Sequence, residues 1–508
     1  MIKKLINNNQ YFLLKILLLT ILFSLIHYAL GYPPRLNYTA GIVALLIVIS
    51  PLRIIYCGFI IIFTIIAALY FPARFLYGAP SLTIATSVTY TNLHEAIEFI
   101  TNIPYYLYIG SLFILLFGFF CAKFKLNSAK KIKVWAFITF LLFLFYGPIK
   151  DYKEIGEFDI LNSGYPEIKF IKDTYEAKGE TEKLFSLIAQ KDDFQPNNAA
   201  TPYDTYVMVI GESARRDFMH VYGFPINNTP FMDSANGIIF NHYISAASTT
   251  VPSLTHSLTQ PPKLANSVIA LAKKWGFTTY WLSNQGAVGI YDTPIASLGK
   301  KADQPFFLKR GSYNNSKESN DDELLPQIAA AIKAPQAKKL IIVHLMGSHP
   351  RACARTDNHY DIFYKSKEIS CYIQSIKNTD QLLATIHQYL TDSHSKWSMI
   401  YFSDHGLGFV NKNNPSDLKL THNDQYRQDY EVPLFISSHN SINRQYINAG
   451  RSGINFLSLF SEWSGIDDPS IDHSCHMISN DICSQQNSVI DFSNKRIDYT
   501  KLPADMAP

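Results

Sequence analysis

The sequence predicts two parts of different fold class. The N-terminal part is predicted to be an α-helical membrane domain with five transmembrane helices, and the C-terminal part a doubly wound α/β domain. Charge is one reason: residues 1–150 hold 12 lysines and arginines but two acidic residues, whereas the remainder holds 33 bases and 39 acids. The other reasons are the five apolar stretches of the first part and, beyond residue 200, short apolar runs that alternate with helical stretches, a pattern typical of a sheet covered by helices.

Composition excludes one class of partner. Lys and Arg number 45 and Asp and Glu 41 in 508 residues, which leaves a formal net charge of +4. Domains that bind nucleic acid are usually strongly basic. We therefore expect no nucleic-acid partner.

The first apolar stretch, residues 11–30, contains a single charged residue, Lys15. At about 1.5 Å per residue, a stretch of this length crosses the roughly 30 Å hydrocarbon layer of a bilayer. A cleaved signal peptide is the alternative for this stretch, but it does not explain the apolar stretches behind it. Those lie at residues 39–51, 54–72, 104–122 and 132–149.

Positive charges predict the orientation of these spans. Loops rich in Lys and Arg remain in the cytoplasm, and here they are the N-terminus, the loop between spans two and three, and the loop between spans four and five. Five spans then place everything after residue 150 outside the cytoplasm. The charges concerned are Lys3, Lys4, Arg53, Lys123, Lys125, Lys130, Lys131 and Lys133.

Two segments connect the predicted parts. The non-cytoplasmic loop at residues 73–103 is predicted to contain a short surface helix at 92–101. Residues 151–200 carry many charges and end in a polar run, so they are predicted to be a partly helical linker near the membrane surface. The predicted domains are therefore residues 1–150 and 201–508, joined by the linker 151–200.

Four cysteines lie in the C-terminal part, at Cys353, Cys371, Cys475 and Cys483. Their even number suits disulfides in an oxidising compartment such as the periplasm. Closeness in sequence favours the pairs Cys353–Cys371 and Cys475–Cys483, although four cysteines allow three connectivities. A four-cysteine zinc site is the alternative, but the short C-x₂-C pairs of such sites are missing.

Five apolar runs in the C-terminal part are predicted to be buried parallel strands, because a strand covered on both faces is a continuous apolar run. They lie at residues 206–210, 278–282, 339–345, 398–402 and 432–436, with helices predicted at 264–275, 322–333 and 372–390. In doubly wound sheets, binding sites gather just beyond the carboxyl ends of the strands.

Side chains that bind metals follow three of these strands. Glu212 follows the first strand, His349 the third, and Asp404 and His405 the fourth, while His422 lies further on. Such a set provides the oxygen and nitrogen ligands that zinc accepts. Taken singly, an Asp-His pair after a strand is more often a cap beside a surface histidine. Several ligand types at the strand ends of one sheet favour a metal site.

Ser213 invites comparison with a hydrolase nucleophile, because Gly211-Glu212-Ser213 follows a strand. The second glycine of the pattern G-x-S-x-G is absent, since Arg215 occupies that place. Ser213 can instead offer its hydroxyl or its backbone N–H to an anionic substrate at the start of a helix.

These motifs together resemble those of the phosphoethanolamine transferases, membrane enzymes of the alkaline phosphatase/sulfatase superfamily. The resemblance covers essentially the whole chain. It implies a bacterial inner-membrane protein with a sulfatase-like catalytic domain in the periplasm. The motifs are VMVIGESARRDFMHVYGFPINNTP (207–230), KKLIIVHLMGSH (338–349), IYFSDHG (400–406) and the late His422, and WLSNQ (281–285) is most like the branch that modifies the core heptose of lipopolysaccharide.

The resemblance also implies the site. A zinc ion is expected on Glu212, Asp404, His405 and Thr250, with Thr250 as the nucleophile. Thr250 stands ten residues beyond Phe240, as the family's nucleophile does, and a shift of one residue would select Thr249 instead.

Other family positions are matched or missing. His349 and His422 match residues that bind the substrate phosphate or a second zinc, so one or two ions are expected. Leu407 stands where an acid often follows the family's Asp-His-Gly. No lysine near residues 284–292 clearly matches the family lysine that helps to hold the substrate.

The implied reaction moves phosphoethanolamine from phosphatidylethanolamine to lipopolysaccharide, at lipid A or a core heptose, through a phosphoethanolamine–Thr250 ester. Zinc would lower the pKa of the threonine hydroxyl. We expect a monomer held at the lipid bilayer. The alternatives are a membrane-tethered phosphatase or sulfatase-like hydrolase, a glycerol-phosphate transferase, and a non-catalytic protein that would have lost ligand residues.

Overall fold

The computed structural model describes residues 2–77, 79–80, 103–155, 160–286, 294–309 and 319–508. The chain divides into two compact units, one of Met1–Ala85 and Phe99–Gly179, the other of Thr86–Glu98 and Glu180–Pro508. The predicted surface helix at 92–101 lies outside the described residues.

The first unit is helical, and each of the five predicted apolar stretches lies in a helix. Four of these helices contain a stretch long and apolar enough to cross a membrane. The second helix is also apolar but shorter, with 14 residues. The helices are α1 Ile2–Ala29, α2 Leu36–Ile49, α3 Arg53–Tyr77, α4 Tyr105–Ala122 and α5 Lys130–Ile155, followed by Ile160–Ser163 and by α6 Pro166–Ala189.

Polar contacts hold α6 against α1 within the first unit. His27 and Glu167 are both buried, and His27 Nε2 lies 2.9 Å from Glu167 Oε1. The hydroxyl of Tyr32 donates to Asp173 Oδ2 at 2.7 Å. Polar groups removed from water need such partners, because an unpaired one costs about 1–3 kcal/mol.

An eight-stranded sheet forms the centre of the described part of the second unit. In chain order its strands are β1 Thr205–Gly211, β2 Gly237–Phe240, β3 Thr278–Gly286, β4 Gln304–Lys309, β5 Lys339–His344, β6 Trp397–Ser403, β9 Leu434–Ser438 and β10 Arg444–Ile447. The short strands β7 Gly408–Val410 and β8 Lys419–Thr421 form a separate hairpin. The order of strands across the sheet is β10-β2-β9-β6-β1-β5-β3-β4, and β9 alone runs antiparallel to its neighbours.

Helices cover both faces of the sheet, and this explains why its central strands are continuous apolar runs. Every residue of β1 is buried, with Met208 packed in one apolar cluster and Val207 in another. The longer helices are Thr250–Leu258, Val268–Lys274, Leu325–Lys333, Lys367–Asp392 and Phe456–Ser464. The shorter elements are the helices Pro230–Ser234, Pro294–Gly299 and Ala352–Arg355 and the strand pairs Asn198–Ala199 with Ile466–Asp467, Tyr243–Ile244 with Arg451–Ser452, Thr259–Gln260 with Lys263–Ser267, and Ser488–Ile490 with Arg496–Asp498.

Two predictions about this unit were wrong. The run at 432–436 was predicted to be a parallel strand, but β9 is antiparallel to β6. A parallel neighbour would need a crossover helix to carry the chain back across the sheet. The segment between β6 and β9 contains no such helix, so the chain re-enters the sheet at the carboxyl edge of β6. The predicted helix 264–275 begins later, at Val268, because Ser267 caps it by accepting a hydrogen bond from the backbone N–H of Ala270.

Both predicted disulfides are present. Cys353 pairs with Cys371, and Cys475 pairs with Cys483. The first joins the segment after His349 to the long helix Lys367–Asp392, and the second closes a surface loop. The four-cysteine zinc alternative is therefore excluded.

Candidate metal centre at the carboxyl edge of the sheet

Strand register brings the predicted ligand residues to one edge of the sheet. Gly211 and Ser403 are paired in neighbouring parallel strands, so Glu212 and Asp404 leave the sheet side by side. The β7–β8 hairpin begins just after His405 and ends just before His422. Its two ends therefore return both histidines to the same place.

Glu212, Asp404 and His405 form a buried group whose ligand atoms all lie within 4.8 Å of one another. Asp404 Oδ1 accepts hydrogen bonds from the backbone N–H groups of Ser213 at 3.1 Å and His405 at 2.8 Å. Asp404 Oδ2 is buried and accepts no hydrogen bond from any described residue. One oxygen thus fixes the carboxylate, and the other is left for a cation.

The imidazole of His405 is oriented by its other nitrogen. Its Nδ1 lies 2.8 Å from the carbonyl oxygen of Gly406, so Nδ1 carries the proton that this carbonyl accepts. Its Nε2 faces the carboxylates, 3.2 Å from Glu212 Oε1 and 3.6 Å from Asp404 Oδ2. Metal-binding histidines are commonly held by such a hydrogen bond from the second nitrogen.

Thr250 lies within reach of this group. Its hydroxyl donates to Glu212 Oε2 at 3.1 Å and lies 3.3 Å from His405 Nε2. It is the first residue of the helix Thr250–Leu258, whose N-terminus favours negative charge. The neighbouring Thr249 is the extended residue before this helix and makes no capping bond with its side chain.

His349 and His422 form a second group with Glu212, and these ligand atoms also lie within 4.8 Å of one another. The ring centre of His422 is 5.6 Å from that of His349 and 5.0 Å from that of His405. Burial and the neighbouring His405 and His349 hold the pKa of His422 well below its usual range. His422 is therefore neutral at neutral pH and has a lone pair to offer.

The electrostatics of the first group favour a cation at its centre. Burial and the neighbouring Glu212 raise the pKa of Asp404 well above its usual range, whereas His405 overcomes burial and holds the pKa of Glu212 well below it. Burial opposes charge on His405, but Asp404 and Glu212 outweigh it and raise its pKa to about 9. Two carboxylates this close both ionise only beside a positive charge, which a proton on His405 or a metal ion supplies.

Ser213 supports both carboxylates. It is fully buried, its hydroxyl donates to Glu212 Oε1 at 2.7 Å, and its backbone carbonyl accepts from the hydroxyl of Tyr372 at 2.6 Å. Its φ of 60° is in the left-handed region, which is uncommon for residues other than glycine and recurs at functional sites. Its predicted part in substrate binding stays a prediction.

Two further supports were missed at the level of sequence. Gln285 donates through Nε2 to Glu212 Oε2 at 3.3 Å and to the carbonyl of Leu345 at 3.1 Å. The carboxylate of Asp321 accepts from the backbone N–H groups of Met346 at 2.8 Å and Gly347 at 2.9 Å, and so fixes the loop that leads to His349. Gln285 ends the quoted motif WLSNQ, whereas Asp321 lies in no motif.

Gly347 allows this loop to pack directly on the ligand segment. Its φ is +46°, and a Cβ atom there would lie 2.9 Å from the backbone nitrogen of Glu212. The neighbouring N–H of Ser348 donates to the carbonyl of Glu212 at 2.9 Å. A larger residue at this position would push the loop away from Glu212.

A buried ion pair ties the segment after Glu212 to the β7–β8 hairpin. Arg215 Nη1 donates to Asp505 Oδ2 at 2.8 Å and to the carbonyl of Leu407 at 3.1 Å. The same Asp505 oxygen accepts from the backbone N–H of Phe409 at 2.9 Å, and Lys412 Nζ lies 2.6 Å from Asp505 Oδ1. Since this hairpin connects His405 to His422, Asp505 acts on the position of both.

Part of the predicted substrate region is not described. No lysine matched the family within residues 284–292, and residues 287–292 of this stretch lie outside the described residues. Leu407, which stands in the place of the family's acid, is fully buried.

Comparison with known proteins gives consistent results. The sulfatase family model matches residues 204–466. Phosphoethanolamine transferase OpgE of Escherichia coli (strain K12) is 36% identical over 501 residues, 95% of this chain and 94% of that protein. A putative phosphoethanolamine transferase of Haemophilus influenzae is 36% identical over 367 residues, 68% of this chain and 72% of that protein.

Solved structures share the fold. The C-terminal periplasmic domain of EcEptC from Escherichia coli, in complex with Zn, has a TM-score of 0.52 at 21% identity and covers 61% of this chain and 96% of its own. The integral membrane lipooligosaccharide phosphoethanolamine transferase A (EptA) from Neisseria meningitidis has a TM-score of 0.52 at 13% identity, with 84% of this chain and 87% of its own covered.

Asp505→Asn tests the support of the hairpin. Asp505 is one of two carboxylates that pair with the buried Arg215, which keeps Asp217 at 2.6 Å. The substitution weakens the hydrogen bonds to Arg215 and Phe409, so the free energy of unfolding should fall by about 1–3 kcal/mol. Urea titration of the purified full-length protein, followed by tryptophan fluorescence, measures it. Asp417→Asn is the matched control, because Asp417 pairs with Lys419 at 3.0 Å near the same hairpin but is half exposed; it should cost less than about 1 kcal/mol. Equal losses in the two variants would contradict the assigned role.

Proposed function

The chain belongs to the phosphoethanolamine transferases and carries a sulfatase domain. From this premise we propose how its site transfers phosphoethanolamine, and which molecules are the donor and the acceptor. The observation that carries the proposal is the place of the Thr250 hydroxyl. It lies 3.1 Å from Glu212 Oε2 and 3.3 Å from His405 Nε2, at the start of a helix. This is the arrangement that a nucleophilic hydroxyl needs beside a cation site.

The residues present fit zinc. Asp404 Oδ2 is buried without a hydrogen-bond donor, His405 directs Nε2 at the two carboxylates, and Glu212 completes three protein ligands. Thr250 is the proposed fourth ligand, which gives zinc its usual coordination number of four. A bound zinc ion lowers the pKa of a coordinated hydroxyl and offsets negative charge on phosphate oxygens. The solved structural neighbour EcEptC in complex with Zn has the same fold.

In the first half-reaction Thr250 Oγ1 attacks the phosphorus of phosphatidylethanolamine. A bond forms between Oγ1 and phosphorus, and the bond from phosphorus to the diacylglycerol oxygen breaks. The hydroxyl proton, which is directed at Glu212 Oε2, is transferred to the leaving diacylglycerol oxygen, so the half-reaction gains and loses no proton overall. The N-terminus of the helix Thr250–Leu258 stabilises negative charge that develops beside Thr250.

In the second half-reaction an acceptor oxygen attacks the phosphoethanolamine–Thr250 ester and restores the threonine hydroxyl. His422 lies beside His405 and His349 and is unprotonated, so it is proposed to take the acceptor's proton and to pass one to Thr250 Oγ1 as the ester bond breaks. His349 stands beside it and is proposed to bind the transferred phosphate. Two half-reactions at one site predict ping-pong kinetics.

The proposed donor is phosphatidylethanolamine and the proposed acceptor is lipopolysaccharide, at lipid A or a core heptose. The helices of the first unit would hold the enzyme in the inner membrane with its N-terminus in the cytoplasm and its catalytic unit in the periplasm. This orientation is supported by the loop charges and by the two disulfides, which form in oxidising compartments. It gives the enzyme access to a lipid donor.

Metal removal tests the ion. Dialysis of the purified protein against a chelator should abolish transfer, and stoichiometric zinc should restore it, since the two buried carboxylates need a cation. Elemental analysis should then find one zinc per chain, and Asp404→Asn should lose it. Full activity in a metal-free preparation would contradict the proposed mechanism, and two zinc ions per chain would assign the second to Glu212, His349 and His422.

Substitution of the nucleophile tests the covalent step. Thr250→Ala should lower the rate of transfer by at least about 10³-fold while retaining zinc on its three remaining ligands. Thr249→Ala is the matched control and should keep most of the activity. Mass spectrometry of the enzyme mixed with donor alone should find phosphoethanolamine on Thr250. Its presence on Thr249, or full activity of Thr250→Ala, would move the nucleophile.

Lipopolysaccharide from cells with and without the protein tests the acceptor. Mass spectrometry should find a gain of one phosphoethanolamine group, which fragmentation assigns to lipid A or to a core sugar. The Thr250→Ala variant is the control and should give no gain. A gain on a different envelope glycan would replace the acceptor, and release of free phosphoethanolamine alone would favour the hydrolase alternative.

A further inference from the structure

A strongly basic pocket lies in the first unit, on the face formed by the loop between α2 and α3 and the loop between α4 and α5. Its volume is about 670 Å³. Three cationic side chains line it, and none of its lining residues in the described part of the chain is acidic. The polar residues around it are Ser50, Arg53, Lys125, Asn127, Ser128 and Lys133.

Hydrogen bonds from other side chains occupy backbone carbonyl groups in and near the α4–α5 loop. Side chains from neighbouring segments donate to four carbonyl groups, one at the end of α4 and three in the loop. Arg53 donates to the carbonyls of Ala122 at 2.7 Å and Phe124 at 2.6 Å, Lys15 to that of Lys125 at 3.1 Å, and Ser50 to that of Leu126 at 3.1 Å.

The groups that remain on this loop are donors. Within the described residues, the backbone N–H groups of residues 127–132 have no protein acceptor, as expected for a loop that leads into the first turn of α5. The hydroxyl oxygen of Ser128 is buried and has no partner there either. With the ammonium groups of Lys125 and Lys133 beside them, these donors form a site that suits an anion with several oxygen atoms.

The surroundings indicate what kind of anion. Exposed apolar side chains come directly after the pocket residues Arg53 on α3 and Lys133 on α5. Ile54 is 89% exposed, and Val134 and Trp135 are 52% and 60% exposed. A headgroup in the pocket would therefore have its acyl chains along an apolar surface. Trp is common at the level where headgroups meet hydrocarbon, and basic pockets between membrane helices bind acidic lipids.

We propose that this pocket is a binding site for an anionic phospholipid, with the phosphodiester of phosphatidylglycerol or cardiolipin held by Lys125, Lys133, Ser128 and the start of α5. This lipid differs from the donor of the reaction, because phosphatidylethanolamine carries no net charge to match the cationic pocket. Under the predicted orientation the site faces the cytoplasmic leaflet. It would anchor the loops that join the membrane helices.

Native mass spectrometry of the delipidated full-length protein, titrated with phosphatidylglycerol in detergent, tests the site. The protein should bind one phosphatidylglycerol molecule in preference to phosphatidylcholine with the same acyl chains. Lys125→Gln combined with Lys133→Gln should raise the dissociation constant about thirtyfold, because each lysine near an anionic lipid contributes about fivefold. Lys130→Gln combined with Lys131→Gln is the matched control. It removes the same charge from side chains that do not line the pocket and keeps the backbone N–H groups of α5, so it should raise the dissociation constant by no more than about fivefold.

Three results would overturn the proposal. Equal loss of binding in the two double variants would indicate attraction by a basic face rather than a site. Equal binding of phosphatidylglycerol and phosphatidylcholine would exclude recognition of charge. Release of the bound lipid by millimolar inorganic phosphate would assign the pocket to free phosphate.

Ser128→Ala provides an independent variant that changes no charge. Loss of one hydrogen bond to a phosphate oxygen should weaken phosphatidylglycerol binding about fivefold. Unchanged binding would show that no headgroup is seated against Ser128 and would overturn the proposed site in favour of diffuse attraction. Thermal unfolding of each variant checks that the fold is intact.

Discussion

The catalytic unit depends on two carboxylates that are buried side by side. Glu212 and Asp404 leave adjacent parallel strands at the same edge and are each 1% exposed. Placing one charge in such surroundings is expensive, and placing two of like sign is possible only beside a positive charge. His405 Nε2 lies next to both carboxylates, so a proton on this nitrogen or a cation bound beside it supplies that positive charge. Thr250 Oγ1 lies beside the same atoms, where positive charge would stabilise the deprotonated hydroxyl of the proposed mechanism.

The elements around the site serve to keep these carboxylates in register. Ser213 donates hydrogen bonds to both carboxylates, and Gln285 donates one to Glu212 Oε2. Gly347 lets the loop that leads to His349 approach the Glu212 backbone. Asp505 extends this support outward, because Arg215 and the β7–β8 hairpin both depend on it. The ligand residues come from segments that are far apart in sequence, so the site needs such cross-links to hold them together.

What could be predicted from the sequence is what local pattern encodes. Apolar runs predicted β1, β3, β5 and β6, and the ligand residues followed because they stand directly after strands. The direction of β9 could not be predicted, because an apolar run has the same composition in either direction. The strands β2, β4 and β10 were also missed. β2 and β10 have four residues each, and β4 and β10 are the edge strands of the sheet. Asp505 could not be identified either: it meets Arg215 across 290 residues of sequence, and no periodicity records a contact of that separation.

The two units present opposite chemistry for the same physical reason. At the sheet edge, backbone and side-chain donors satisfy one oxygen of Asp404 and leave the other as an acceptor without a donor. In the α4–α5 loop, Arg53 and its neighbours donate to the carbonyls, whereas the backbone N–H groups of residues 127–132 and the hydroxyl of Ser128 have no acceptor among the described residues. Among these groups, Asp404 Oδ2 and the Ser128 hydroxyl are buried, and buried polar groups are nearly always paired in folded proteins. This is why we propose a cation as the partner at the first place and an anion at the second.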